Sequence, residues 1–285
     1  MYQIQPPRRA FTLVELLTAV GIVAMLTSLL LPALTRARAS ADDVRDLSNL
    51  RQLLLGYTMY YQENKGSLLF GYTPDKVGGV PMSVYDPVSR QTFTGQVADR
   101  YPWRLLPYVS NMWKILHSTG DTPPPPRAGE AYGDAFLDAY YLSLYPTYGI
   151  NSVYVGGDCN FGGFAGPDNT PNAGKYIVFK ASEVKHPSRL IVFADCQIQN
   201  VTGLQGKGLH VLTPPRANGP HWTVTNEKFN LSSSSTFMGI PKGWYSKRTM
   251  VGFFDGHVQS MLPSELTDMR LWANRANSPT YDYTN

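Results

Sequence analysis

The fold is decided by the stretch from Phe11 to Leu34, FTLVELLTAVGIVAMLTSLLLPAL, whose 24 residues contain a single charged side chain, Glu15. As a helix, these residues extend for about 36 Å at about 1.5 Å per residue, and this length is enough to cross a bilayer. We therefore predict a transmembrane helix. Because an unpaired carboxylate in hydrocarbon costs roughly 2.5–3.5 kcal/mol on insertion scales, we expect Glu15 to have a partner.

Three other interpretations of this stretch stay open. Arg8 and Arg9, together with Ala37-Arg38-Ala39, are typical of a secretory signal peptide, although the apolar core of such a peptide usually has about 7–15 residues. A buried core helix is rarely apolar on all of its faces over this length. A simple single-span anchor explains the hydrophobicity but leaves Glu15 unexplained.

The residues around the start of this stretch carry a family resemblance. The run from Arg8 to Leu17 has a basic leader, a small residue and then Phe-Thr-Leu-x-Glu at the head of the apolar segment. This pattern resembles the prepilin-type signal of type IV pilins and type II secretion pseudopilins. Pro32 stands where members of that family often carry a helix-kinking proline. The family usually has glycine where this chain has Ala10. Alanine is also a small residue, so the small size at this position is kept.

The resemblance implies how the chain is processed and what it contacts. A prepilin peptidase is expected to cut between Ala10 and Phe11 and to N-methylate Phe11. The α-ammonium of a neighbouring subunit then becomes the expected partner of Glu15, so that Glu15 and Pro32 serve assembly. The implied partners are other pilin-like subunits in a homo- or hetero-oligomeric filament. The implied location is the inner membrane, single-pass, with the head in the periplasm or outside.

After Pro32 the chain becomes polar but keeps a helical pattern. Apolar residues follow one another at spacings of three or four, as on one helical stripe: Val44, Leu47, Leu50, Leu54, Tyr57 and Tyr61. Charged residues are expected on the opposite face: Asp43, Arg45, Asp46 and Arg51. Glycine is typical at the C-terminus of a helix, so we expect the helix to end near Gly66. We predict a leader at 1–10, a transmembrane helix at 11–34, an amphipathic extension at 35–66 and a globular head at 67–285.

The head has the pattern of a β-rich domain with long loops. Short apolar runs between Gly, Pro, Asn and Asp predict these strands: Tyr176–Phe179, Leu190–Ala194, Leu209–Leu212, Trp222–Thr225, Met250–Phe254 and Val258–Met261. Asp255-Gly256 predicts a two-residue hairpin turn, with the Asp255 and His257 side chains pointing to different places. A helix is expected over 264–274, with Ser264 as its N-cap. Stretches 71–100 and 118–135 are predicted to be neither strand nor helix. The fold class is therefore α+β, a pilin-like lollipop in which the long helix packs on an antiparallel sheet.

Four short blocks of the head carry a second resemblance. They are Pro102–Tyr108 (PWRLLPY), Tyr148–Asn151 (YGIN), Pro187–Asp195 (PSRLIVFAD) and Val251–Val258 (VGFFDGHV). Such blocks resemble the pseudopilin-like proteins of planctomycetes and their relatives that carry a C-terminal His-x9-Asp-Gly motif. Tyr245 replaces the motif histidine ten residues before Asp255, whereas the Asp-Gly pair is kept. The resemblance indicates the fold more than an activity.

The composition limits the classes of function. The chain has 285 residues and is 43% hydrophobic and 12% aromatic, which excludes a disordered chain. A net charge of +4 is too small to predict a nucleic-acid partner. The sequence contains no GxSxG, HExxH or GxxxxGK[ST] motif, and its five histidines lack metal-ligand spacing. We therefore predict no enzymatic activity.

Two features of the head predict a metal site and a disulfide. Asp158 and Asn160 in a glycine-rich loop, together with Asp168, offer the oxygen ligands that Ca²⁺ prefers, although ordinary turn chemistry also explains them. The major pseudopilins that the chain resembles often hold calcium in a head loop. Cys159 and Cys196 are the two cysteines, and a disulfide between them requires both that the head lies outside the cytoplasm and that the two residues are close in space.

These observations predict a non-enzymatic pseudopilin that assembles into a type II secretion-type or type IV pilus-type filament for protein secretion or surface attachment. The alternative is a membrane-anchored or secreted protein that uses the helix only as an anchor. Such a protein would bind a glycan or a protein ligand, or act as an enzyme. The 18 tyrosines and five tryptophans are compatible with an aromatic binding face, but core and loop packing is the favoured explanation for them.

Overall fold

The computed structural model describes residues 12–73, 76–77, 80–87, 89–110, 113–117, 135–159, 176–199, 206–217, 219–232, 239–242 and 248–283. The architecture is α+β, as predicted, with one long N-terminal helix and an antiparallel sheet in the C-terminal part of the chain. The chain divides into two compact units, Met1–Asp42 and Asp43–Asn285. The predicted boundary between extension and head, at residues 66 and 67, lies inside the second unit.

The helices are α1 (Leu13–Glu63), α2 (Gln96–Asp99), α3 (Tyr101–Leu105) and α4 (Ala135–Leu144). The strands are β1 (Lys76–Val77), β2 (Val80–Pro81), β3 (Ser83–Asp86), β4 (Gln91–Thr94), β5 (Tyr148–Ile150), β6 (Ile191–Ile198), β7 (Trp222–Thr225), β8 (Lys228–Leu231), β9 (Gly239–Pro241), β10 (Thr249–Phe253) and β11 (Val258–Met261). Short 3-10 helices cover Leu106–Val109, Trp113–Leu116, Ala181–Glu183, Glu265–Thr267 and Met269–Leu271.

The C-terminus of α1 is where the sequence predicts it. Lys65 and Gly66 have positive φ angles of 56° and 80°. The Gly66 N–H donates to the Tyr61 carbonyl at 2.7 Å, which is the backbone bond of a Schellman motif. Lys65 therefore takes the left-handed position that ends the helix, and Gly66 follows it with a positive φ that glycine adopts without steric cost.

The part of α1 within the second unit packs through the predicted stripe. Leu50, Leu54 and Tyr57 are fully buried, and Leu53 between them is buried as well. Val44, at the start of the predicted stripe, is 64% exposed. Burial along the stripe is therefore complete from Leu50 to Tyr57, and Tyr61 at its end is only partly buried.

One acidic residue of α1 lies on the buried side. We expected Asp46 on the exposed face of the helix, but it is 1% exposed. It precedes Leu50 by four residues, and this spacing puts both on the same helical face. The backbone carbonyl of Asp46 also accepts a hydrogen bond from the Tyr148 hydroxyl at 3.1 Å. The prediction for Asp46 is therefore wrong.

A five-stranded antiparallel sheet forms the centre of the second unit. Its strand order is β11-β10-β6-β5, and β9 pairs with the C-terminal end of β6. The register places Ala194 of β6 opposite Val251 of β10 on one side and Gly149 of β5 on the other. Strand β6 is buried over nearly its whole length, and its first four residues, Ile191–Ala194, are all apolar.

The helix α1 approaches β10 closely at a glycine. A Cβ atom added to Gly252 would lie 2.7 Å from Leu54 Cδ1 and 3.2 Å from Leu50 Cγ. These distances are shorter than van der Waals contact, so a side chain at position 252 would displace the leucines. Gly252 therefore allows α1 to lie directly on the sheet.

Aromatic rings fill much of the core. The Phe193 ring contacts Tyr57 with ring centroids 5.6 Å apart and Tyr101 with centroids 5.4 Å apart. Trp222 and Trp272 are fully buried and meet edge to face with centroids 6.0 Å apart. Core packing thus accounts for these aromatic residues.

Most of the predicted strands are present. Leu190–Ala194 falls on β6, Met250–Phe254 on β10, and the predicted bounds of β7 and β11 match the structure. The predicted strands Tyr176–Phe179 and Leu209–Leu212 are wrong. Val178 and Val211 make only isolated bridges. The two segments are buried and apolar, but they are not part of a strand ladder.

Two other sequence predictions are corrected. The stretch 71–100 is not irregular, since it contains β1 to β4 and α2. The predicted helix over 264–274 is replaced by two 3-10 helices, and the Ser264 side chain makes no capping hydrogen bond. Residues 118–134 lie outside the described residues, and α4 begins at Ala135.

Candidate functional site

The N-terminus of α1 is closed by a capping box that Thr12 and Glu15 form. The Glu15 backbone N–H donates to the Thr12 hydroxyl oxygen at 3.3 Å, and the Thr12 backbone N–H donates to the Glu15 carboxylate at 2.9 Å. The Thr12 hydroxyl also donates to this carboxylate at 2.8 Å. These bonds satisfy donors that have no partner within the helix, and they place negative charge at its positive end. Glu15 thus has a polar partner in its own chain.

The helix that follows this cap is apolar and exposed. Apolar side chains between Leu13 and Leu34 lie open on all sides, with Leu13 79% exposed. The most apolar window of 18 residues in α1 has a mean hydropathy of 2.2, and none of it is buried. The helix is therefore long and apolar enough to cross a membrane, a property that it shares with signal sequences near an N-terminus.

The hydroxyl groups in this part of α1 are satisfied by the helix itself. Each donates to a backbone carbonyl three or four residues earlier, at distances from 2.8 to 3.0 Å: Thr18, Thr27, Ser28 and Thr35. In hydrocarbon an unsatisfied hydroxyl is costly, so these bonds make the segment compatible with lipid.

The structure describes Pro32 but not the two residues at the predicted cleavage site. Pro32 lies inside α1, and the helix continues on both sides of it. Because proline has no N–H, the Ser28 carbonyl lacks its usual helical donor. Ala10 and Phe11, between which cleavage is predicted, lie outside the described residues.

The four sequence blocks of the head meet in one place. The YGIN, PSRLIVFAD and VGFFDGHV blocks supply parts of β5, β6 and β10, which are neighbours in the sheet. The PWRLLPY block forms most of α3 and the 3-10 helix after it, and the buried Trp103 Nε1 donates to the Ala139 carbonyl at 3.0 Å. Buried residues of all four blocks belong to the same hydrophobic core of the head.

Polar residues of these blocks join backbone segments together. The Asn151 side-chain amide donates to the carbonyls of Ile191 and Trp272, both at 2.9 Å. The Asp195 carboxylate accepts from the Met250 backbone N–H at 3.3 Å. Asn151 and Asp195 are fully buried, so their contacts indicate a structural role.

The Asp255-Gly256 hairpin is present with a longer loop than predicted. Gly252 of β10 pairs with Val258 of β11, and the Phe253 N–H donates to the His257 carbonyl at 3.0 Å. Three residues therefore lie in the loop, instead of the predicted two. Gly256 has φ 90°, a left-handed conformation that is typical of a three-residue hairpin loop with a bulge.

The side chains of Asp255 and His257 are in contact. His257 Nδ1 lies 2.6 Å from Asp255 Oδ1, and the imidazole ring stacks on Phe253 with centroids 4.2 Å apart. The prediction that they point to different places is wrong, because the turn directs residues two apart to the same side. Partial burial raises the pKa of the Asp255 carboxyl, but hydrogen bonds from His257 outweigh it and the net shift is downward.

The predicted calcium ligands are described only in part. Asp158 is buried, and its carboxylate accepts from the Ser152 hydroxyl at 3.0 Å. Asn160 and Asp168 lie outside the described residues. Within the described ranges, no group of three or more His, Cys, Asp or Glu side chains is placed to hold a metal ion. Calcium binding stays a prediction.

The two cysteines occupy different environments. Cys196 is fully buried in β6, where its thiol donates to the Leu209 carbonyl at 2.7 Å and accepts from the Leu209 N–H at 3.1 Å. Cys159 is partly exposed, and partial burial raises the pKa of its thiol. Both residues are described, and they are not joined to each other. The predicted disulfide is therefore wrong for this structure.

The head also contains a buried cationic group that the sequence pattern did not predict. The Arg104 guanidinium donates to the carbonyls of Phe70 at 2.6 Å and Asp99 at 2.9 Å. Burial lowers the pKa of Arg104, and the nearby acidic groups Asp99 and Asp158 oppose this shift. The only signal in the sequence was an arginine inside the apolar run PWRLL. A charge in such a run requires buried partners.

A buried histidine lies near this group. His210 has no exposed surface, and burial together with Arg100 lowers its pKa to about 3. The imidazole is therefore neutral at physiological pH, and Nδ1 lies 3.4 Å from the Leu144 carbonyl. This environment fits a core histidine better than an acid-base catalyst.

Comparison with known proteins assigns no family. The chain matches no protein-family model, no curated protein and no solved structure.

Proposed function

We propose that this chain is a non-enzymatic pilin-like subunit. In this proposal a prepilin peptidase cuts between Ala10 and Phe11 and N-methylates Phe11. The mature chain then assembles through its N-terminal helix into a type II secretion-type or type IV pilus-type filament. The inner membrane holds the subunit before assembly, and the head lies in the periplasm or outside.

The observation that carries the proposal is the position of Glu15. Its carboxylate stands at the head of an exposed apolar helix, where it caps the helix through Thr12. A cap satisfies hydrogen bonds but leaves the carboxylate charged. Since the hydrogen bonds of the cap leave a charge in an apolar segment, this charge favours a second, cationic partner.

The proposed cationic partner is the α-ammonium of a neighbouring subunit. Cleavage before Phe11 would create this group four residues before Glu15 in the sequence. A subunit shifted along the filament axis would bring its ammonium to the carboxylate, and the pair would be neutral only in this register. Glu15 would then set the register of assembly as well as cap its own helix.

The experiment separates the capping function of Glu15 from its charge. Glu15→Gln keeps a carbonyl oxygen for the Thr12 donors but removes the charge. Thr12→Val keeps the charge but removes the hydroxyl of the cap. Each variant is produced in two copies with different affinity tags, together with the prepilin peptidase, and co-purification of the tags from membranes measures assembly.

The proposal predicts that Glu15→Gln loses co-purification although its helix and its membrane insertion are retained. Thr12→Val should still co-purify, with a moderate loss. Normal co-purification of Glu15→Gln would refute the assembly role of the charge. Equal loss in both variants would mean that the cap alone matters.

A further inference from the structure

A cavity of about 800 Å³ lies on the head beside the C-terminal turn of α1. It is bounded by that turn, by strand β3 and by the segment from α3 to the following 3-10 helix. Its size falls in the range of small-ligand sites in proteins. Aromatic rings and polar groups share its lining: Tyr60, Glu63, Asn64, Ser83, Tyr85 and Tyr108.

Aromatic rings form much of the described wall. Tyr60 and Tyr108 meet edge to face with ring centroids 5.6 Å apart. Tyr85 is 58% exposed on β3, opposite Thr92 of β4 in a two-stranded sheet. Its ring is therefore open to a ligand, and a flat apolar surface can stack on it.

Polar groups accompany these rings. The Tyr108 hydroxyl is hydrogen-bonded to the Glu63 carboxylate, and burial together with this bond raises the pKa of Tyr108 to about 12. Glu63, Asn64 and Ser83 are exposed, so a carboxylate, an amide and a hydroxyl stand at the edge of the cavity. A carboxylate has lone pairs beyond the one that Tyr108 occupies, and these accept hydrogen bonds from a ligand.

The charges of the cavity select against an anion. Among the lining residues that the structure describes, Glu63 carries the exposed charge, and it is negative. Arg104 also lines the cavity, but its guanidinium is buried and donates to the carbonyls of Phe70 and Asp99. A ligand without negative charge and with several hydroxyl donors complements this surface.

We propose that this cavity binds a neutral oligosaccharide. One sugar ring stacks on Tyr85, and a vicinal pair of hydroxyls donates to the Glu63 carboxylate, with Asn64 and Ser83 completing the hydrogen bonds. This combination of aromatic faces and a few convergent polar groups is what a saccharide requires. The site lies outside the segment 11–34, so its test does not depend on the proposed assembly.

The test uses the full chain in phosphatidylcholine nanodiscs, since detergents with sugar headgroups would compete. Cellohexaose, maltohexaose and chitohexaose are the probes, and saturation-transfer NMR followed by calorimetry measures binding. A decaproline peptide is included because aromatic grooves also bind polyproline helices. The variants are Tyr85→Ala, Tyr85→Phe and Glu63→Gln. Phe136→Ala is the control, because Phe136 is an exposed aromatic residue that does not line the cavity.

We expect at least one hexasaccharide to bind with millimolar or tighter affinity. Binding should weaken about tenfold in Tyr85→Ala and in Glu63→Gln, and it should persist in Tyr85→Phe and in the control. Circular dichroism checks that each variant is folded. The proposal is overturned if no hexasaccharide binds, if Tyr85→Ala and Glu63→Gln bind as well as the unmodified chain, or if decaproline is the preferred ligand.

Discussion

The contact between α1 and the sheet is tested by a double substitution at Leu54 and Gly252. Leu54→Ala removes three carbon atoms from a side chain that is 1% exposed. Gly252→Ala adds a methyl group at a position 2.7 Å from Leu54 Cδ1. Each change alone should destabilise the fold, for opposite reasons: the first opens a cavity and the second overpacks the same space.

The magnitudes follow from this geometry. Loss of buried carbons at about 0.8 kcal/mol each, with a cavity term added, gives about 3–4 kcal/mol for Leu54→Ala. Overpacking by Gly252→Ala costs about 1–3 kcal/mol. In the double variant the new methyl group occupies space that Leu54 vacates. The combined loss should therefore be about 1–2 kcal/mol smaller than the sum of the two single losses.

The assay is urea unfolding of the full chain in nanodiscs, followed by the fluorescence of the buried tryptophans. Leu53→Ala combined with Gly252→Ala is the matched control, since Leu53 is equally buried but is not among the atoms nearest to the added Cβ. The control pair should be additive. Additive losses for Leu54 and Gly252 would refute the inference that α1 lies directly on β10 at this glycine.

Three further predictions concern single groups. Thr12→Val should lower the stability of the first turn of α1 by about 1 kcal/mol, seen as faster amide exchange at Glu15, whereas Thr12→Ser should exchange normally. Because burial lowers the pKa of His210 to about 3 while an unfolded histidine titrates near 6.5, stability should fall as the pH drops from 6.5 toward 3. A His210→Gln variant should show a weaker pH dependence, and an unchanged profile would contradict this. Cys159 should react with a maleimide in the native chain and Cys196 only after unfolding; two labels on the native chain would contradict the burial of Cys196.

The sequence predicts the long helix well because the apolar residues in the C-terminal half of α1 follow one another at a regular helical spacing. The prediction for Asp46 failed since the stripe was drawn through Leu47 and Leu50. The spacing of Asp46, Leu50, Leu53 and Tyr57 by four, three and four residues describes the buried face better. An acidic residue was assigned to solvent by its charge, and the helical geometry overrides that preference.

The capping box was visible in the sequence. Thr12 and Glu15 have the S/T-x-x-E spacing that marks a helix N-terminus, yet the carboxylate was assigned only to a partner subunit. Strands were less predictable. Tyr176–Phe179 and Leu209–Leu212 are apolar because they are buried, and burial alone does not specify ladder pairing.

The cavity beside Tyr85 was outside the reach of sequence analysis. Its wall combines residues from α1, β3 and the segment after α3, which are separated by up to 48 positions from Tyr60 to Tyr108. The pattern of any one segment predicts only an amphipathic helix end or an irregular loop. Tertiary packing brings the rings together, and the spacing of residues within one segment does not predict this contact.

The central claim is that the apolar helix is a processed assembly segment, and the intact mass of the membrane-extracted chain tests it most directly. Cells with and without a prepilin peptidase are compared. We predict a mass that corresponds to a chain starting at Phe11 with one added methyl group, seen only when the peptidase is present. A chain that starts after Ala39 would contradict the account, because the helix would then be a removed signal peptide. An uncut chain in both strains would contradict it as well.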